Sequence, residues 1–186
     1  SNPLSEEGCL GGAHHPGNAE SSANRSSGAD SAVRVPAAMF GELAPHAIEA
    51  VLHEELFARI GYVDADGLPA IAPISYAYDG RSIYGYSLFG TKIAEMSAHP
   101  KVCVEIDRVD DAATWRSVVL RGTFEPLEGL EAMEAVERIS ERLRTVAAAT
   151  GAPPAAWRTY VMRAGGDGIA YRIRITEKHG RYSALS

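Results

Sequence analysis

Pro69-Ala70-Ile71-Ala72-Pro73-Ile74-Ser75-Tyr76-Ala77-Tyr78-Asp79-Gly80-Arg81-Ser82-Ile83-Tyr84-Gly85-Tyr86-Ser87-Leu88 is the stretch on which the fold turns. Its two arms are rich in Ile and Tyr. Asp79-Gly80 between them is a strong turn signal, because Gly tolerates positive φ and Asp caps the turn with its own side chain. The stretch reads as two antiparallel strands, 69–78 and 81–88. Pro73 has no N–H to give a sheet ladder, so the first arm is an edge or a bulged strand with neighbouring backbone groups left free.

Outward from this hairpin the period keeps the same sense. Residues 58–63 form a strand, set off by the turn Asp64-Ala65-Asp66-Gly67. Before it, Ile48, Val51, Leu52 and Leu56 repeat at helical spacing after Pro45, which suits a first turn. After the hairpin, a short helix over 91–98 stops at His99-Pro100, since the residue before proline is pushed out of the α region. Strands over 101–107 and 115–126 flank an acidic loop with Asp110 and Asp111. A second long helix over 130–149 carries the stripe Met133, Val136, Ile139, Leu143 and Val146. A last strand over 169–176 alternates Ile169, Tyr171, Ile173 and Ile175 with smaller or polar residues. Cys103, between Val102 and Val104, is expected as a small core or barrel-lining residue.

Six strands joined by tight turns, with no strand-helix-strand alternation, make a mainly β fold: an antiparallel six-stranded barrel with helical accessories. The folded domain is expected over 36–186. Residues 1–35 are mostly Ser, Gly, Ala and Asn and are expected as a disordered or low-complexity tail, because they cannot bury enough surface to offset ordering entropy.

The composition narrows the function classes. Eighteen Lys and Arg against 24 Asp and Glu give a net charge of -6, which argues against nucleic acid as a partner. Two cysteines in unlike contexts exclude a disulfide framework and fit a reducing, cytoplasmic setting. No apolar run is long enough to span a membrane, and no leader pattern opens the sequence. The six histidines share no metal-ligand spacing, so no metal is expected. Dinucleotide, Walker and serine-elbow fingerprints are all missing.

Three places could carry chemistry. Tyr86 and Ser87 end a strand that turns through Gly90 into Thr91 and Lys92, bringing hydroxyls, helix-start amides and an ammonium together as a phosphate requires. A plain helix cap at Gly90 or Thr91, with Lys92 in solvent, explains the same letters. Ile71, Ala72, Pro73, Ile74, Ser75 and Tyr76 could offer free backbone groups to a flat heterocycle, or form an ordinary barrel rim. Trp115, Arg116 and Ser117 open a strand with groups suited to stacking and anion contact, or to packing plus a surface charge.

In order and spacing these pieces resemble the pyridoxamine 5'-phosphate oxidase-like superfamily of FMN-binding split barrels, and more narrowly its nitroimidazole-resistance (Nim-like) branch. The carriers are Ala58-Arg59-Ile60-Gly61, Asp66-Gly67-Leu68-Pro69, the 72–80 stretch, Gly90-Thr91-Lys92, His99-Pro100-Lys101-Val102-Cys103, and Trp115-Arg116-Ser117-Val118-Val119 with Gly122. The resemblance implies a homodimeric split β-barrel with FMN at the interface. It implies that Ile71, Ala72, Pro73, Ile74, Ser75 and Tyr76 face the isoalloxazine and that Tyr86 and Ser87 flank the ribityl-phosphate. Thr91 and Lys92 would hold the phosphate, with Arg116 and Ser117 as a further contact. The function implied is an oxidoreductase passing a hydride or electrons from reduced flavin to a small oxidised substrate, a nitroaromatic being one candidate.

The sequence departs from the family at Thr91, where Arg is common, and near Ser75 and Tyr76, where several Nim-like proteins have His. Its C-terminal stretch lacks the substrate signature of true pyridoxamine phosphate oxidases, which speaks against vitamin B6 oxidation. Three alternatives stay open at this level: haem binding or degradation with His179 or a tail histidine as axial ligand, a deazaflavin in place of FMN, and a non-catalytic flavin-binding or ligand-sensing dimer.

Overall fold

In the computed structural model, which describes residues 38–150 and 168–185, the chain runs through β1 (Ala38–Glu42), α1 (Pro45–Glu54), β2 (Phe57–Val63), β3 (Pro69–Ser75), β4 (Ala77–Tyr78) and β5 (Ser82–Leu88). It continues through α2 (Thr91–Ala98), β6 (Lys101–Val109), β7 (Trp115–Pro126), α3 (Gly129–Thr150) and β8 (Gly168–Leu185). The tail expected over 1–35 lies outside the described residues.

All eight strands belong to one antiparallel sheet, in the order β3-β2-β6-β7-β8-β5-β4 with β1 beside β8. β3 and β4 are neighbours in the chain but occupy the two ends of the sheet. The backbone through Tyr76 joins those ends, and this covalent link curls the sheet into a split barrel. Tyr76 pins the bend: its ring is buried, its hydroxyl donates to the Leu52 carbonyl at 3.0 Å, and its N–H donates to the Leu56 carbonyl at 3.3 Å. Burial pushes its phenol far above the usual tyrosine value, so it stays a neutral donor.

The core fills the inside of the curl. Ile60, Ile83, Val104, Ile106, Leu120 and Ile173 are fully buried there by strand alternation. α1 closes the barrel with Ile48, Val51 and Leu52, and α2 adds Ile93 and Met96. Lys178 ties α1 to the sheet: it donates to Glu49 Oε1 at 2.6 Å and to the Tyr78 hydroxyl, which itself donates to Glu49 Oε2 at 2.8 Å.

The six expected strands are present, and five details differ from expectation. β1 is an added strand, and Tyr76 splits the 69–78 arm in two. β8 runs on to Leu185, because its polar second half gains β7 on one flank and β1 on the other, which no apolar alternation announces. Met133 is exposed and does not belong to the buried face of α3. Ala135 sets that face against Leu127 and Ala170, Ile139 is buried further along it, and Met133 lies two residues, some 200°, around the helix from Ala135. Cys103 is exposed, since Val102, Val104 and Ile106 take the inward positions of β6 and the odd residues point out.

Glu125 makes one testable contribution to stability. It accepts from Arg174 Nε and Nη2, both at 2.9 Å, and from Arg172 Nε at 2.7 Å. These bonds, Arg174's first, outweigh burial and hold its carboxyl down at about 2. A depressed carboxyl contributes stability above its unfolded value of 4.5 and loses it as pH falls towards 2. Glu125→Gln is therefore expected to cost about 1 kcal/mol at pH 7, allowing for the exposure of Arg174. The gap to wild type should shrink between pH 4.5 and 2 in thermal unfolding. Among the described residues no helix is long and apolar enough to cross a membrane.

Candidate functional site

The split in the barrel is a cleft between two strand edges. β4 pairs with β5 at Ala77–Tyr84 and Tyr78–Ile83. Continued, that register would set Ser75 opposite Tyr86 and Pro73 opposite Leu88, yet those pairs do not form. β3 pairs with β2 alone, and β5 beyond Tyr84 pairs only with β8. The two arms diverge at Tyr76, and the edges that face the cleft carry no ladder. Pro73 sits on such an edge, where a missing N–H breaks no ladder. Ile71, Ala72, Pro73, Ile74 and Ser75 run along one wall, with Ile74 turned into the core. Tyr76 offers only its carbonyl, because its N–H and side chain are committed to the bend.

The other wall leads to an anion-ready helix start. Tyr86 and Ser87 are half-buried near the end of β5, the Tyr86 hydroxyl lying over Gly168. Gly90 occupies the N-cap of α2, and no side chain caps it. The amides of Ile93 and Ala94 bond to the Gly90 carbonyl at 3.0 and 3.1 Å, so those of Thr91 and Lys92 come before the first intrahelical bonds. Lys92 is half-buried, burial pushes its ammonium below the usual lysine value, and among the described residues nothing pairs with it. Uncapped amides, the Thr91 hydroxyl and a desolvated cation without a counter-ion are donors of the kind an anion takes. Gly90 is the N-cap residue, as the plain-cap reading has it, while Lys92 is half-buried and not fully in solvent.

Arg116 and Ser117 are not brought to this cleft. Ser117 pairs with Asp107 on β6, and β6 and β2 lie between its strand and β3. Three inter-strand spacings separate β7, which carries Ser117, from β3, about 14 Å. Ser117 Oγ donates to Glu105 Oε1 at 2.9 Å, and Arg59 bridges Glu105 at 3.1 Å to Asp107. Arg116 is exposed. His179 also stands apart: exposed and 3.6 Å from Glu177, it lies ten residues along β8 from Ile169, the partner of Ser87, or about 33 Å.

One surface escaped the sequence reading of sites. A groove of about 650 Å³ crosses the outer face of the sheet, lined in part by Gly61, Ile71, Lys101, Cys103 and Arg121. The available signal was Gly61 itself, since a glycine inside a strand marks a bulge or a close approach.

The family model for pyridoxamine 5'-phosphate oxidase matches residues 45–181. An uncharacterized protein of Rhizobium meliloti is 39% identical over 62 residues, 33% of this chain and 41% of that protein, so the match spans about two fifths of the relative's length. Among solved structures, an FAD-binding protein from Mesorhizobium loti is 26% identical with a TM-score of 0.61, covering 80% of this chain and 99% of that one. A structure described as a 5-nitroimidazole antibiotic resistance protein of Bacteroides thetaiotaomicron shares the fold, with 17% identity and a TM-score of 0.60 over 80% of this chain and 90% of the other.

Proposed function

The chain belongs to the pyridoxamine 5'-phosphate oxidase family of flavin-binding split barrels, and on that footing we propose that its cleft holds FMN, with the phosphate at the start of α2. The observation that carries the reading is Lys92, a half-buried ammonium with no partner among the described residues, beside two amides that precede the first intrahelical bonds. Thr91 and Lys92 would hold the phosphate, Tyr86 and Ser87 the ribityl chain. The open edge from Ile71 to Ser75, with the Tyr76 carbonyl, would meet the polar rim of the ring. A single phosphate suits this one helix start, which favours FMN over a longer flavin.

Arg116 and Ser117 then reach the flavin from a second copy of the chain, since a chain's own pair lies too far from its own cleft. Exposed Phe57, Leu88, Phe89 and Val109 give such a homodimer apolar surface to cover. Bound there, FMN would supply two-electron redox chemistry between a reductant and a small oxidised acceptor. The chain's part is to fix the phosphate, orient the ring along β3 and exclude water. A nitroaromatic is the proposed acceptor, on the support of the Nim-like sequence pattern.

In the test the flavin is reduced anaerobically, and the acceptor is then added in separate samples. FMN-loaded protein reduced by NADH or NADPH is expected to be reoxidised by an added nitroaromatic faster than by air-level oxygen alone. Reoxidation by oxygen with no response to the nitroaromatic would make the protein a flavin binder and not a reductase.

A further inference from the structure

On the outer face of the sheet the registers align Ile71, Gly61, Cys103 and Arg121 in one row across β3, β2, β6 and β7. The groove of about 650 Å³ follows this row, a size that suits a small organic ligand. Its floor exists because residue 61 has no side chain. A Cβ built on Gly61 would lie 2.7 Å from Cys103 Sγ, closer than real side chains approach, so the thiol already leans over the glycine. Ile71, 73% exposed, stands on the other side as a second apolar flank.

The charges at the margins mostly satisfy one another. Arg59 bonds Glu105 and Asp107, and Arg121 pairs with Glu177 at 3.7 Å. Lys101 is different: it donates to Thr123 Oγ1 at 3.1 Å and, among the described residues, meets no carboxylate. A shallow apolar slot with a glycine floor and one uncompensated ammonium at its margin is complementary to a flat ring that carries one negative charge.

We propose that this groove binds a planar aromatic carboxylate, its ring over Gly61 between Ile71 and Cys103 and its carboxylate towards Lys101. The groove uses the outward side chains of the sheet, whereas the flavin reading uses the cleft edge of β3 and the start of α2. Ile71 is common to both, through its backbone edge in the cleft and its side chain in the groove, but the charged and hydroxyl donors differ, and this proposal does not rest on FMN binding.

The probe is 2-naphthoate, titrated by its fluorescence into the full chain, first without flavin and then with FMN added. Saturable binding is expected in both, with neutral 2-naphthol about tenfold weaker for want of the charge-assisted contact. Lys101→Ala should erase that preference. Gly61→Ala raises the floor but strains against Cys103, so the informative variant is Gly61→Ala with Cys103→Ala, which removes the clash and keeps the raised floor. Folded by circular dichroism, it should bind 2-naphthoate about tenfold more weakly. No saturable binding to the wild type, equal affinity for naphthoate and naphthol, or full affinity in the folded double variant would each overturn the proposal. Naphthoate binding by a chain that refuses FMN would uphold this site and remove the flavin reading.

Discussion

Lys92→Ala is expected to weaken FMN binding by about 1–3 kcal/mol, the scale of losing a charge-assisted contact to a partly buried phosphate. The effect should be large because the free protein already bears the cost of desolvating this ammonium without a counter-ion. The sign of the pH dependence follows. In the free chain, burial lowers the ammonium from its ordinary 10.5; a bound phosphate favours the charged form and raises it again. Affinity should therefore be full below the free-chain value and fall as pH rises through it. Lys92→Arg should hold its affinity flat across that alkaline range, because a guanidinium stays charged. Lys101→Ala, a cation in the outer groove, should leave FMN affinity unchanged. Fluorescence titration of FMN against the three variants and wild type at neutral and alkaline pH checks all of this.

The largest expected loss of stability comes from Gly85→Ala. Gly85 lies in the middle of β5, where a Cβ would sit 2.3 Å from Cζ and 2.4 Å from the hydroxyl oxygen of Tyr171. Tyr171 is fully buried and packs against Phe124 with ring centroids 5.3 Å apart, so it cannot swing aside. Overpacking of this kind costs about 3 kcal/mol, or a fall of about 10 °C in Tm for a domain of this size. Shortening the obstacle, as in Gly85→Ala with Tyr171→Leu, should recover part of the loss. Gly90→Ala is the matching control: nothing lies within 4 Å of its added Cβ and its φ is 179°, extended backbone open to any residue. Its thermal unfolding should stay close to that of wild type.

The fold was legible where one residue type has one physical meaning. Asp79-Gly80 can hardly be other than a turn, His99-Pro100 ends a helix, and the Ile and Val alternation of β6 and β7 has one buried face. The bend at Tyr76 was not legible, since a buried tyrosine bonded to the carbonyl of Leu52, 24 residues away, leaves no local trace. The second half of β8 was hidden for the same reason. Glu177, Lys178 and His179 are polar, and their partners come from β7 and α1, far along the chain.

The candidate site divided in the same way. The chain order of Gly90, Thr91 and Lys92 suggested an anion site, but letters cannot show whether a lysine points into solvent. Only the packed structure shows Lys92 half-buried and unpartnered among the described residues. Ser117 stood among the same candidates because sequence resemblance carries no information on which chain supplies a residue. β6 and β2 lie between its strand and β3. Gly61 gave a weak signal that gained meaning only when Cys103 proved to face outward across the next strand.

The central claim is that the cleft between β3 and β5 holds FMN through the start of α2. The most direct test is to purify the full chain, saturate it with FMN, remove excess, and take the visible spectrum and the mass of the ligand released by denaturation. The proposal predicts flavin absorbance, a released mass equal to that of FMN, and one FMN per chain. A protein that stays colourless in excess FMN, or that instead carries a Soret band, would contradict it.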